Sequence, residues 1–145
     1  GEYYRLIQSV RDSGDWESWV LYILRGIDAT ATETIILVKQ IKILMQEYKV
    51  KMRNCLEKQY SHELLNNIFS HPYTKIEFVM NDIKVSRITA AKYLNKLVEH
   101  GLLEKVKMGT SNFYLNPELT RLLINHSENQ NIEGFEAIES ISKMI

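Results

Sequence analysis

The sequence is poor in the residues that stop helices or staple folds: one cysteine, two prolines and six glycines in 145 residues. A lone Cys55 excludes an internal disulfide framework and gives no sign of an oxidising compartment; its place in a helical apolar pattern reads as buried filler. Net charge is also missing, since 18 basic and 18 acidic residues cancel, so the chain as a whole is no polyelectrolyte. No apolar run approaches the roughly 18 residues that a bilayer requires, and no basic-apolar-small leader opens the chain. A cytoplasmic location is the expectation. Asn125-His126-Ser127 matches a glycosylation sequon and, without a leader, reads as coincidence.

What is present is apolar periodicity. In YYRLIQSVRD, residues 3–12, Tyr3, Leu6, Ile7 and Val10 recur at helical spacing, and Ser13-Gly14 is a stop. Asp15 then reads as the N-cap of WESWVLYILRGI, whose Trp16, Trp19, Val20, Ile23, Leu24 and Ile27 form a broad face expected to be buried. From Thr30 to about Tyr60 there is no Pro or Gly, and Leu37, Ile41, Leu44, Tyr48, Met52 and Cys55 predict a separate helix of about eight turns. Its stripe is wider than a strict coiled-coil seam, which favours packing within its own bundle over a dimer.

Beyond residue 60 the elements shorten. Ser61 is a candidate N-cap for HELLNNIFSH, Pro72 ends that helix, and a short extended piece from Tyr73 precedes a helix over about Glu77 to Asp82. Ser86 caps the next helix, expected from Arg87 to His100 with Gly101 as its stop. The period then changes from 3.6 to 2 through LLEKVKM, a GTSN turn and FYLN, the signature of a β-hairpin. Pro117 opens a last short helix, PELTRLLIN, and FEAIESISKMI is an amphipathic end. The fold class expected is mainly α: a helical segment over 1–60 with a long helix, a winged helix-turn-helix over 61–125 with a small β-hairpin wing, and a tail over 126–145.

Within the helix beginning at Arg87, Ala90, Leu94, Leu97 and Val98 should face the core with Val79, Met80, Ile83 and Val85. The other side keeps Arg87, Thr89, Lys92, Tyr93 and Lys96, and no acid occurs before Glu99. In a helix-turn-helix this element enters the major groove, where Arg forks onto guanine and Thr touches a base edge or a phosphate. Ser86 and the first free N–H groups could hold a phosphate, and Lys105 and Lys107, two apart on a strand, should share an outward face. The candidate DNA-binding set is therefore Ser86, Arg87, Thr89, Lys92, Tyr93, Lys96, Lys105 and Lys107. The plainer alternative is a solvated face, or a surface that docks protein. Lys84 stands where the turn of such a motif usually has glycine, at a cost of about 1 kcal/mol if the backbone there is left-handed.

Catalytic and metal signals are weak. His62, His71, His100 and His126 are scattered, with no Cys or carboxylate grouping at ligand spacing, and Gly109-Thr110-Ser111 is too short for a phosphate loop.

The first 40 residues carry a resemblance. EYYRLIQSVRDSGDWESWVLYILRGIDATATET, with Tyr3-Tyr4, the Leu-Ile-Gln-x-Val-Arg stretch, Gly14-Asp15-Trp16-Glu17 and Trp19, resembles the segment after the catalytic motif of Fic proteins, which transfer AMP from ATP to a protein hydroxyl. The resemblance implies a C-terminal piece of a longer Fic-like adenylyltransferase ending in a winged helix. ATP and Mg are implied for that parent alone. The catalytic loop, His-Pro-Phe-x-x-Gly-Asn-Gly-Arg, is missing: His71-Pro72 is followed by Tyr73-Thr74-Lys75-Ile76, so no catalytic residue and no cofactor are assigned here. The expected partners are DNA, a protein target, or a second copy through the long helix or an exposed Trp16/Trp19 face.

Overall fold

The computed structural model describes residues 1–127. The helix expected in FEAIESISKMI lies outside them. Element order is α1 (Glu2–Ser13), α2 (Trp16–Leu56), a 3-10 turn (Glu57–Gln59), α3 (His62–Ser70), β1 (Tyr73–Thr74), α4 (Ile76–Ile83), α5 (Arg87–Glu99), β2 (Glu104–Met108) and β3 (Ser111–Leu115). Residues 117–127 are helical. The described chain divides into two compact units, Gly1–Val38 and Lys39–His126.

In the first unit, Gly14 ends α1 in the left-handed region at φ 73°, where a residue without Cβ is unstrained. Asp15 Oδ1 accepts from the Ser18 N–H at 3.2 Å and starts α2 as its cap. Two expectations fail here. The helices expected at 16–27 and from Thr30 are a single 41-residue helix. A lone Gly26 costs a helix only about 1 kcal/mol, and the threonines that follow bond back instead of capping: Thr30 Oγ1 donates to the Gly26 carbonyl at 3.0 Å and Thr34 Oγ1 to that of Thr30 at 2.8 Å. Of the face expected to be buried, Trp16, Val20, Leu24 and Ile27 are exposed, Trp16 keeping 61% of its surface, while Trp19 and Ile23 are half-buried. Helical spacing puts residues on one face but supplies nothing to cover it.

The second unit holds the core. Tyr48, Met52, Cys55 and Leu56 of α2 are buried with Leu64, Leu65 and Ile68 of α3, Val79 of α4, Ala90, Leu94 and Leu97 of α5, and Tyr114 of β3. Met80, Ile83, Val85 and Val98 pack against it half-buried, as their spacing predicts. The Tyr48 hydroxyl donates to the Leu102 carbonyl at 3.1 Å, and burial pushes its pKa up to about 12.

Local chemistry fixes the boundaries. Ser61 Oγ accepts from the Leu64 N–H at 3.2 Å, and Ser86 Oγ from the Thr89 N–H at 3.2 Å, so both serines are side-chain N-caps. Asn116 caps the last helix by accepting from the Leu119 N–H at 3.1 Å, while its amide donates to the Ile68 carbonyl at 3.2 Å. The three strands form an antiparallel sheet of order β1-β3-β2, with Tyr73 opposite Leu115 and Val106 opposite Phe113. The turn of the hairpin is two residues, Gly109-Thr110, not the four of GTSN; Gly109 takes φ 61°, as the first position of a II′ loop requires.

Candidate nucleic-acid interface

Helices α3, α4 and α5 with the three-stranded sheet make a winged helix-turn-helix, in which α4 and α5 are the motif and α5 is the element available for recognition. The turn between them is tight: Lys84 sits at φ 60°, ψ 42°, and its N–H closes α4 on the Met80 carbonyl at 3.0 Å. A lysine therefore bears the left-handed conformation that glycine usually occupies.

The eight sequence-derived residues do not all share one accessible surface. Arg87 and Lys92 are exposed, but the Arg87 guanidinium is engaged at 2.9 Å by Glu77 of α4. The Glu77 carboxyl lies below its ordinary value, held there by a hydrogen bond from its own backbone N–H and then by Arg87. Ser86 and Thr89 spend their polar atoms on the cap, with the two hydroxyls 2.9 Å apart. Tyr93 is half-buried against the core. Lys96 is half-buried too, near enough to the Cys55 thiol for its charge to oppose the upward push that burial gives that group. Lys105 and Lys107 are exposed and share a face. It is the face of Thr74 and buried Tyr114, turned toward α5 and not away from it, because Lys105 stands opposite Tyr114 in the β2–β3 register.

That placement joins the wing to α5. Lys105 Nζ lies 3.4 Å from Asn95 Oδ1 and 5.6 Å from the Tyr114 ring centroid, and the Tyr114 hydroxyl donates to the same Asn95 oxygen at 3.3 Å. Two residues that charge-led reading passed over complete the surface. Ile88 is 83% exposed at the start of α5, and Asn95 lies on the same exposed side. Positions 88, 92, 95 and 99 follow the i, i+4, i+7, i+11 rule, so the stripe was available in the sequence to a search for exposed rather than charged residues. An exposed Ile can meet a thymine methyl, and Asn95, whose Oδ1 already accepts from Lys105 and Tyr114, has its amide N–H groups left to donate to a base acceptor.

His71-Pro72 ends α3 and leads into β1, the run after it is not glycine-rich, and among the described residues no group of three or more His, Cys, Asp or Glu could hold a metal ion. Among the described residues, no helix is long and apolar enough to cross a membrane.

A family description, that of the C-terminal domain of SoFic-like protein adenylyltransferases, matches residues 44–119, just over half of the chain. The chain belongs to that family. The matched region is the last third of α2 and the winged helix. It lies beyond the residues 2–40 that carried the resemblance, so the two observations bear on different parts of the sequence.

Proposed function

We propose that this chain is the non-catalytic, DNA-binding regulatory module of a Fic-type adenylyltransferase, and that α5 and the wing together bind duplex DNA in the cytoplasm. ATP and Mg serve the Fic loop of the full enzyme, a loop absent from this sequence. The observation that carries the reading is the 3.4 Å approach of Lys105 to Asn95, which brings the wing against α5; Lys107 shares the Lys105 face of β2, and Lys92 lies three residues before Asn95 on α5. In this reading Ile88 and Asn95 contact base edges, Lys92, Lys105 and Lys107 neutralise phosphates, and Arg87 joins them once released from Glu77.

Competition binding with fluorescent duplexes tests it. Asn95→Ala should weaken binding to a preferred sequence by about 5- to 160-fold while leaving random duplex unchanged, as loss of a base contact worth about 1–3 kcal/mol demands. Lys92→Ala should weaken both alike. Equal behaviour of Asn95→Ala and the parent chain on every duplex would remove Asn95 from the reading set, and equal behaviour of Lys92→Ala would reject the interface.

A further inference from the structure

Strand β2 is an edge of the sheet, and all five of its residues are exposed. Because the hairpin loop has two residues, Met108 and Ser111 form a hydrogen-bonded pair, and the antiparallel alternation gives the next such pair to Val106 and Phe113. The N–H and C=O groups of Lys105 and Lys107 consequently point away from β3, along the free edge. The side chains of β2 sort by the same alternation. Lys105 and Lys107 lie on one face; Glu104, Val106 and Met108 lie on the other, with Val106 38% and Met108 61% exposed and Glu104 at the far end of the strand from the turn.

The apolar side continues across the sheet. Val106 stands opposite Phe113, the Phe113 ring packs edge-on to Tyr73 at 5.4 Å, and Lys75 Nζ rests 4.3 Å from the Phe113 ring centroid. The edge thus offers backbone donors and acceptors, two cations on one side and an apolar strip on the other.

A second copy of β2 does not suit this edge. Any antiparallel pairing that uses the outward groups of Lys105 and Lys107 sets lysine opposite lysine, and like charges directly opposed across strands are destabilising. Lysines on an edge guard a sheet against its own kind. The same lysines select for acids.

We infer that β2 accepts, by strand addition, an extended segment of another protein in which acidic residues alternate with β-branched or aromatic ones. The acids face Lys105 and Lys107, the apolar residues cover Val106, Met108 and Phe113, and the backbone bonds to the outward groups of Lys105 and Lys107. A bound segment of this kind neutralises the two wing lysines, so it competes with any anion that uses them.

The test uses the whole chain with synthetic, end-capped peptides: one alternating Glu and Val, one alternating Lys and Val, and one with the same Glu and Val composition in two blocks. Calorimetry reads affinity, and amide exchange reads position. The alternating Glu/Val peptide should bind at least about tenfold more tightly than either control and should slow exchange at the Lys105 and Lys107 amides. Lys107→Pro removes one outward N–H without touching the β3 ladder and should abolish binding, whereas Lys107→Ala, which removes only charge, should weaken it about 2- to 5-fold. Ile88→Ala, on α5 and carrying no charge, should leave peptide binding unchanged whatever it does to DNA, which separates this inference from the DNA reading. Equal affinity for the alternating and block peptides, protection on α5 instead of β2, or no binding at millimolar peptide would each overturn it. If Lys107→Pro unfolds the domain, the exchange pattern of the parent chain still decides.

Discussion

Glu77 holds Arg87 at 2.9 Å across the helix-turn-helix, and that pair makes a quantitative prediction about DNA. Both side chains are more than half exposed, so the pair is worth only about 0.2–1 kcal/mol. Any phosphate that recruits Arg87 must first displace Glu77, and a carboxylate beside the DNA backbone repels it. Glu77→Gln keeps the shape and removes the charge. Affinity for duplex should rise by about 1.4- to 5-fold, the equivalent of that energy, and the salt slope should steepen by about 0.9 as one more cation engages a phosphate. Stability should change by less than about 1 kcal/mol, because the Gln amide oxygen still accepts at the first turn of α4. Anisotropy at several salt concentrations measures both terms, and in the Arg87→Ala background Glu77→Gln should keep only the gain from lost carboxylate repulsion, with no steeper salt slope. Unchanged affinity in Glu77→Gln together with unchanged affinity in Arg87→Ala would refute the reasoning, since Arg87 would then contact no DNA in either pairing state.

Three further predictions concern the scaffold. Ser86→Ala removes the cap of α5 and should lower stability by about 1 kcal/mol in urea unfolding; Ser86→Gly should cost only a few tenths. Asn116→Ala deletes both a cap and the buried donor to the Ile68 carbonyl, so it should cost about 2–4 kcal/mol by the same assay. Tyr48 titrates at about 12 in the folded chain against about 10 unfolded, so its neutral form is the folded one. Its contribution is complete below pH 10 and is lost as pH rises toward 12, about 2–3 kcal/mol in all. Tyr48→Phe should lose that component of the alkaline fall in Tm, and an identical alkaline profile in the variant would count against the assignment.

The parts of this fold that were legible in sequence are those decided by local chemistry. Asp15, Ser61 and Ser86 each precede an apolar-periodic run and each accepts a backbone N–H three positions on. The change of period after Gly101 located the wing, although the turn proved shorter because Ser111 and Asn112 continue the ladder instead of forming the loop. The continuity of α2 was not legible, since Gly26 looks like a break while costing too little to make one. The exposure of Trp16 stood open in the sequence, since amphipathic spacing marks a face without naming what covers it. In the candidate site, charge drew attention to Lys96 and Tyr93, which helix geometry turns toward the core side, and away from Ile88 and Asn95, which it turns outward. The Arg87–Glu77 pair joins residues ten apart across a left-handed turn, a contact no periodicity announces.

Duplex binding of the chain against salt bears most directly on the central claim. With Lys92, Lys105 and Lys107 as the exposed cations of the proposed surface, the logarithm of the association constant should fall against the logarithm of salt with a slope of roughly −3, and binding should be tighter to duplex from the protein's own locus than to random sequence. Absence of binding at about 50 mM salt, or a slope near zero, would contradict the account and leave this surface to protein partners.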